Sequence, residues 1–172
     1  MSLFHIMKPR AVAVVGASTR PHTIGNDILK RLLEYGFCGP VYPVNPKGGT
    51  IEGLNVYERV ADLPDGVDLA IVVVNSNFVL SVVDDCHAKG IKGLVVISAG
   101  FKETGPEGAA LEAKLAEKVR GYGMRLVGPN CLGVVNTHPA VRLDGCFAES
   151  LPERGHIGFV SQSGALGGGI LN

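Results

Sequence analysis

"VAVVGASTRPHTIGNDILKRLLEYGF", Val12 to Phe37, passes from a β-branched run through a glycine turn into an amphipathic segment, the pattern of a strand, a turn and a helix. Ile24, Ile28 and Leu32, with Leu29 and Leu33, recur at three- and four-residue steps. Asn26, Asp27, Lys30 and Arg31 take the other face, and Gly36 ends the helix. Gly16 supplies the turn, yet no second glycine follows until Gly25. The G-x-G-x-x-G spacing that brings a backbone against a dinucleotide pyrophosphate is therefore absent.

The same grammar repeats along the chain. The runs Ala11–Val15, Val41–Val44, Leu69–Val74, Leu94–Ser98 and Arg125–Gly128 are short, apolar and unalternating, as strands covered on both faces are. Helical periodicity fills the intervals at about residues 77–89 and 106–122, with Gly90 and Gly123 as stops. Strand and helix in alternation predict a Rossmann-like, doubly wound α/β fold with a parallel sheet. Two places break the rhythm. Residues 45–68 are turn-rich, with at most a short helix in "YERVADL", and the chain reads as irregular after Asn136. "HIGFVSQSGALGGGIL" then predicts a new strand, a turn and the start of a helix, so residues 1–150 are expected to form one domain and 151–172 the opening of a truncated second.

Composition narrows the partners. Sixteen basic and sixteen acidic residues leave no net charge, so no field for nucleic acid or an anionic membrane is evident and neither partner is expected. Any anion must be held locally. The four cysteines, Cys38, Cys86, Cys131 and Cys146, form no C-x-x-C pair and read as thiols of a reducing compartment. "MSLFHIMKPR" lacks the apolar core of a secretory signal, and no apolar run approaches the ~20 residues that span a bilayer, so a cytoplasmic protein is expected.

In an open parallel sheet, ligands collect at the carboxyl ends of the strands. There, Gly16, Ala17, Ser18, Thr19 and Arg20 combine a sharp turn, hydroxyls, a guanidinium and a helix N-terminus, a set that suits a phosphate. The same residues also suit an ordinary helix cap. At the second strand's end, where a nicotinamide dinucleotide site places a carboxylate, stands Lys47. A cation there attracts a phosphate on the ribose, which NADP and coenzyme A both carry, although a lone lysine at such a position also suits an ordinary solvated surface. Val74 with Asn75, and Ser98, Ala99 and Gly100, leave room for a slender arm beside backbone amides, and the same residues also suit ordinary strand-to-helix turns. Asn130 and Cys131 lie in a further glycine-rich turn, where a structural thiol is the commoner role. Ser161, Ser163 and Gly164 begin a helix as a phosphate cradle or a capped turn.

Taken in order, "VAVVGAS", "YPVNPK", "ISAGFKETG", "GPNCLG" and "GFVSQSGAL" resemble the CoA-binding domain of the NDP-forming acyl-CoA synthetases, the superfamily of the succinyl-CoA synthetase alpha subunit and the ADP-forming acetate-CoA ligases. The resemblance implies that residues 16–20 line the CoA phosphates, Lys47 sits by the ADP part, and Val74 and Asn75 flank the adenine. It implies that Ser98, Ala99 and Gly100 touch the pantetheine arm, with Asn130 and Cys131 near its thiol. It further implies a flavodoxin-like second domain beginning near residue 151, and a reaction exchanging acyl-CoA, phosphate and NDP with carboxylate, CoA and NTP. ATP or ADP and Mg2+ would enter only through an ATP-grasp domain or subunit. The family's phosphorylated histidine has no match among His5, His22, His87, His138 and His156, so no catalytic residue is expected in this chain, and no metal. An acetyltransferase fusion, a stand-alone CoA-binding regulator and an NADP-dependent oxidoreductase are the alternative readings.

Overall fold

In the computed structural model, which describes residues 2–148 and 150–171, the chain begins with α1 (Phe4–Met7), β1 (Val12–Val15), α2 (Ile24–Glu34) and β2 (Val41–Val44). It continues through β3 (Thr50–Ile51), β4 (Leu54–Asn55), β5 (Leu69–Val72), α3 (Ser76–Ala88), β6 (Gly93–Val96) and α4 (Pro106–Gly121). The last elements are β7 (Arg125–Val127), β8 (Gly133–Asn136), β9 (Leu143–Cys146) and α5 (Gly164–Leu171). Short 3-10 turns at Val60–Asp62 and Lys102–Thr104 complete the set.

All five apolar runs enter one parallel sheet of order β2-β1-β5-β6-β7. Their lack of alternation follows from burial on both faces. Val12, Val14, Leu69, Ile71 and Val95 pack with Ile28, Leu29 and Leu32 of α2, whereas Ala13, Val15, Ala70, Val72 and Leu94 pack with Val79, Val83 and Cys86 of α3 and Leu115 of α4. Each valine, leucine or isoleucine withdrawn from water contributes ~1.5–3 kcal/mol, which outweighs the modest helix and strand propensities. The chain steps from β1 outward to β2 and then back across β1 to β5. The order therefore reverses between β1 and β5, and a crevice opens at their carboxyl ends.

The chain departs from the expected pattern in three places. Residues 45–68, read as turns, contain the small antiparallel pair β3–β4. Residues 137–155, read as irregular, contain β9, which pairs antiparallel with β8 and packs on α2. "LDGC" hides this strand because it buries a carboxylate: Asp144 is fully buried, with Oδ2 2.8 Å from Nη2 of the buried Arg31. Finally, no strand forms at residues 156–160, where Ile157 and Val160 are 94% and 97% exposed. A strand needs a ladder partner for its N–H and C=O groups, and among the described residues none is placed beside this segment. The helix expected after it does form, as α5; Asn172 lies outside the described residues.

Candidate functional site

The first rim loop leaves β1 at Gly16, whose φ of +98° is a left-handed value that favours glycine. A Cβ there would lie 3.0 Å from Val73 Cγ2 and 3.1 Å from Val74 Cγ1, so the loop passes hard against the end of β5. Two asparagines then pull its carbonyls inward. Asn45 Nδ2 donates to the Ala17 carbonyl at 2.7 Å, and Asn26 Nδ2 donates to the Ser18 carbonyl at 2.9 Å. Asn45 Oδ1 also accepts the Lys47 N–H at 3.0 Å, so one side chain joins the rim loops after β1 and β2. With two carbonyls occupied, negative partial charge is drawn away from the rim, where Thr19, Arg20 and Lys47 stand exposed and Ser18 is half-buried. Ordering these loops before a ligand arrives lowers the entropic cost of binding.

The loop is not simply a cap for α2. The N-cap, Thr23, makes no side-chain capping bond; its hydroxyl donates to the Arg20 carbonyl at 2.8 Å. Ser18 Oγ accepts the Arg20 N–H at 3.1 Å. Ala17 differs from its neighbours, since its side chain is fully buried in the core and only its backbone belongs to the rim. Asn26 and Asn45 are the residues that sequence reading passed over as site organisers. Their polar side chains, within or beside apolar segments, were the available signal.

At the other end of the rim, a cavity of about 590 Å³ brings together Ser98, Ala99, Asn130, Cys131 and Gly164 of the sequence candidates. It adds Ile24, Val73, Leu132 and Phe147, apolar walls that the sequence did not single out, and Gln162 from the loop before α5. Ser98 is buried, and its hydroxyl donates to the Val72 carbonyl at 3.4 Å. Val74 and Asn75 lie on the rim after β5, where Asn75 caps α3 by accepting the Asn77 N–H at 3.0 Å. Gly100 is seated against Ser76, with a Cβ there only 2.5 Å from Ser76 Oγ. Ser163 caps α5, accepting the Leu166 N–H at 3.3 Å, and Ser161 Oγ closes the turn by accepting the Ser163 N–H at 3.0 Å. Neither these two serines nor residues 16–20 line the cavity.

Cys131 has the surroundings of a structural thiol. Its Sγ donates to the Val96 carbonyl at 3.4 Å, and burial pushes its pKa up to about 11. At pH 8 only ~1 molecule in 1,000 then carries the thiolate, the reactive form. Cys38 is exposed, while Cys86 and Cys146 are buried. Iodoacetamide at pH 8 is therefore expected to label Cys38 well before the other three, as read by peptide mass mapping; faster labelling of Cys131 would reverse this assignment. Among the described residues no group of three or more His, Cys, Asp or Glu is arranged to hold a metal, and no helix is long and apolar enough to cross a membrane.

This geometry can be set beside known proteins. The chain is 45% identical over 169 residues to the alpha subunit of an ADP-forming acetate-CoA ligase II of Pyrococcus furiosus, and 47% identical over 171 residues to that of the ligase I of the same organism. The alignments take in 98% and 97% of this chain but only 36% and 37% of those subunits, so the chain spans little more than a third of their length. Among solved structures, the dinucleotide-forming acetyl-coenzyme A synthetase 1 of Ca. Korarchaeum cryptofilum, in complex with phosphate and ADP, superimposes with a TM-score of 0.90 at 45% identity, over 99% of this chain and 36% of that one. The family model described as a CoA binding domain matches residues 10–137, the segment that carries the whole parallel sheet and the rim loops after its strands. On that match, the chain belongs to the CoA-binding domain family.

Proposed function

We propose that this chain is the CoA-binding part of an ADP-forming acyl-CoA synthetase, a ligase that interconverts acyl-CoA, phosphate and NDP with carboxylate, CoA and NTP. The observation that carries the reading is the continuous rim over the sheet's reversal point. Exposed cations and a loop with inward-drawn carbonyls occupy one end, and a half-apolar cavity occupies the other. A ligand with a polyanionic nucleotide head and a slender, thiol-tipped arm matches both ends. NADP matches only the first.

In this reading Gly16, Ala17, Ser18, Thr19 and Arg20 offer backbone N–H groups, hydroxyls and a guanidinium to the phosphates, with Lys47 beside the ribose phosphate. Val74 and Asn75 flank the adenine, and Ser98, Ala99 and Gly100 guide the pantetheine arm toward Asn130 and Cys131. When bound, CoA supplies the thiol that accepts the acyl group. This chain's residues bind and orient it, and none acts as acid, base or nucleophile. Residues 1–150 form the CoA-binding domain. Residues 151–172, with the exposed apolar side chains of Ile157, Phe159 and Val160, open a second domain in which Ser161, Ser163 and Gly164 cradle a phosphoryl group. ATP or ADP and Mg2+ are handled by an ATP-grasp partner domain or subunit, in the cytoplasm.

Calorimetric titration with CoA, NADP and NAD tests the reading, with binding expected for CoA alone. Lys47→Glu should weaken CoA binding by about tenfold or more, because a cation is replaced by an anion beside a phosphate. NADP binding without CoA binding would overturn the assignment, and unchanged CoA affinity in the variant would remove Lys47 from the site.

A further inference from the structure

At the other end of the strands from the rim, three loops enclose a second cavity of about 420 Å³. Lys8 and Arg10 enter it ahead of β1, Cys38 ahead of β2, and His138 from the turn between β8 and β9. The loops are braced before any ligand arrives. Asn136 Nδ2 donates to the Met7 carbonyl at 2.7 Å while its Oδ1 accepts the His138 N–H at 3.0 Å, and the Cys38 N–H donates to the Val141 carbonyl at 3.0 Å. Gly39 fits only as glycine, since a Cβ there would run into the Arg10 carbonyl. One asparagine joins two loops here, as Asn45 does on the rim.

The nitrogen groups that line this cavity are all donors. Lys8 brings an ammonium. The buried Asp68 carboxylate accepts from Arg10 Nε at 2.9 Å, Nη2 at 3.0 Å and the Arg10 backbone N–H at 2.9 Å, which orients the guanidinium and leaves Nη1. The Ala140 N–H donates to His138 Nδ1 at 3.2 Å, so the proton of the neutral ring sits on Nε2, again a donor. Among the described residues no acidic side chain lines the cavity, and Pro9 and Val141 give it apolar walls. Such a set selects an anion. A carboxylate is the poorer head group, because the Nε–Nη2 edge of Arg10 that it would grip with both oxygens is occupied by Asp68. A phosphate takes single bonds from donors on separate loops, and the volume is that of a small-molecule site with room for an apolar body.

We propose that this cavity is a second ligand site, for a phosphate monoester with an apolar body, its head held by Lys8 Nζ, Arg10 Nη1 and His138 Nε2. The site is separate from the rim and independent of the CoA reading. A chain without net charge must hold an anion by local arrangement, and these three loops supply one.

Cys38, an exposed thiol within the cavity, reports its occupancy. The experiment measures Cys38 labelling by iodoacetamide on the full chain, read by peptide mass mapping, with phenyl phosphate as the probe. Phenyl phosphate should slow the labelling in a saturable manner. Inorganic phosphate, benzoate and benzyl alcohol lack the apolar body, the phosphate and the charge respectively, and each should need at least about tenfold more for equal protection. Lys8→Ala and His138→Ala should each raise the half-protecting concentration of phenyl phosphate about fivefold, the worth of one hydrogen bond at an exposed site. Both replace exposed side chains, and continued resistance of the buried Cys86 and Cys146 to labelling verifies that the variants are folded. No protection by phenyl phosphate, equal protection by any of the other three compounds, or protection unchanged in either folded variant would each overturn the proposal.

Discussion

Arg31→Met is expected to destabilise the fold by about 3–5 kcal/mol, the cost of leaving a buried charge without its partner. Arg31 Nη2 lies 2.8 Å from Asp144 Oδ2, and the same guanidinium donates to the Ser150 carbonyl. One side chain of α2 therefore holds both β9 and the segment beyond it. Burial pushes the Asp144 carboxyl above the usual carboxylate range, while the Cys146 thiol and Arg31 pull it back. A carboxyl raised in the folded state contributes stability that is present below its unfolded pKa and is lost as pH rises through the folded value. Removing Arg31 raises that value further, so the variant's deficit should be greater at pH 7 than at pH 4.5, where protonation relieves the stranded charge. Urea denaturation at the two pH values measures this, and equal deficits would argue against an ionised Asp144. Arg31→Met with Asp144→Leu should recover most of the loss, since buried ion pairs are often replaceable by packed apolar residues.

The second large effect is expected from Gly25→Ala. Helix propensity alone would make alanine better by up to ~1 kcal/mol. A Cβ at this position, however, would lie 2.3 Å from the Gly16 carbonyl oxygen, which is backbone and cannot swing aside. The clash should dominate, at about 1–3 kcal/mol of stability. Because relief requires the loop after β1 to move, CoA affinity should also fall by about tenfold or more. Gly121→Ala, in α4 with no atom near its would-be Cβ, is the control and should be neutral or slightly stabilising. Thermal melts and calorimetry check both; an unimpaired Gly25→Ala would mean that α2 and β1 approach less closely than described.

The strands and helices of the sheet were legible because their signals are local. Five unalternating β-branched runs and three periodic segments each bury their own apolar residues, and Gly36, Gly90 and Gly123 mark helix ends through positive φ values of 74°, 85° and 66°. β9 was not legible, because Asp144 is satisfied by Arg31, more than a hundred residues earlier, and no window of sequence contains that pairing. For the same reason "IGFV" at residues 157–160 looked like a strand: propensity describes a chain segment, whereas a strand exists only through its neighbour.

The order of apolar and polar residues by itself determined the doubly wound architecture and the rim on which a ligand must lie, because periodicity and glycine turns are written within a few residues of where they act. Only the tertiary structure decided how that rim is held. Asn45 reaches from the loop after β2 to the Ala17 carbonyl in the loop after β1, and the Asn130 N–H reaches from the loop after β7 to the Ser98 carbonyl after β6. These are hydrogen bonds between separate loops, and their worth depends on distances that exist only once the hydrophobic layers have brought the strand ends side by side.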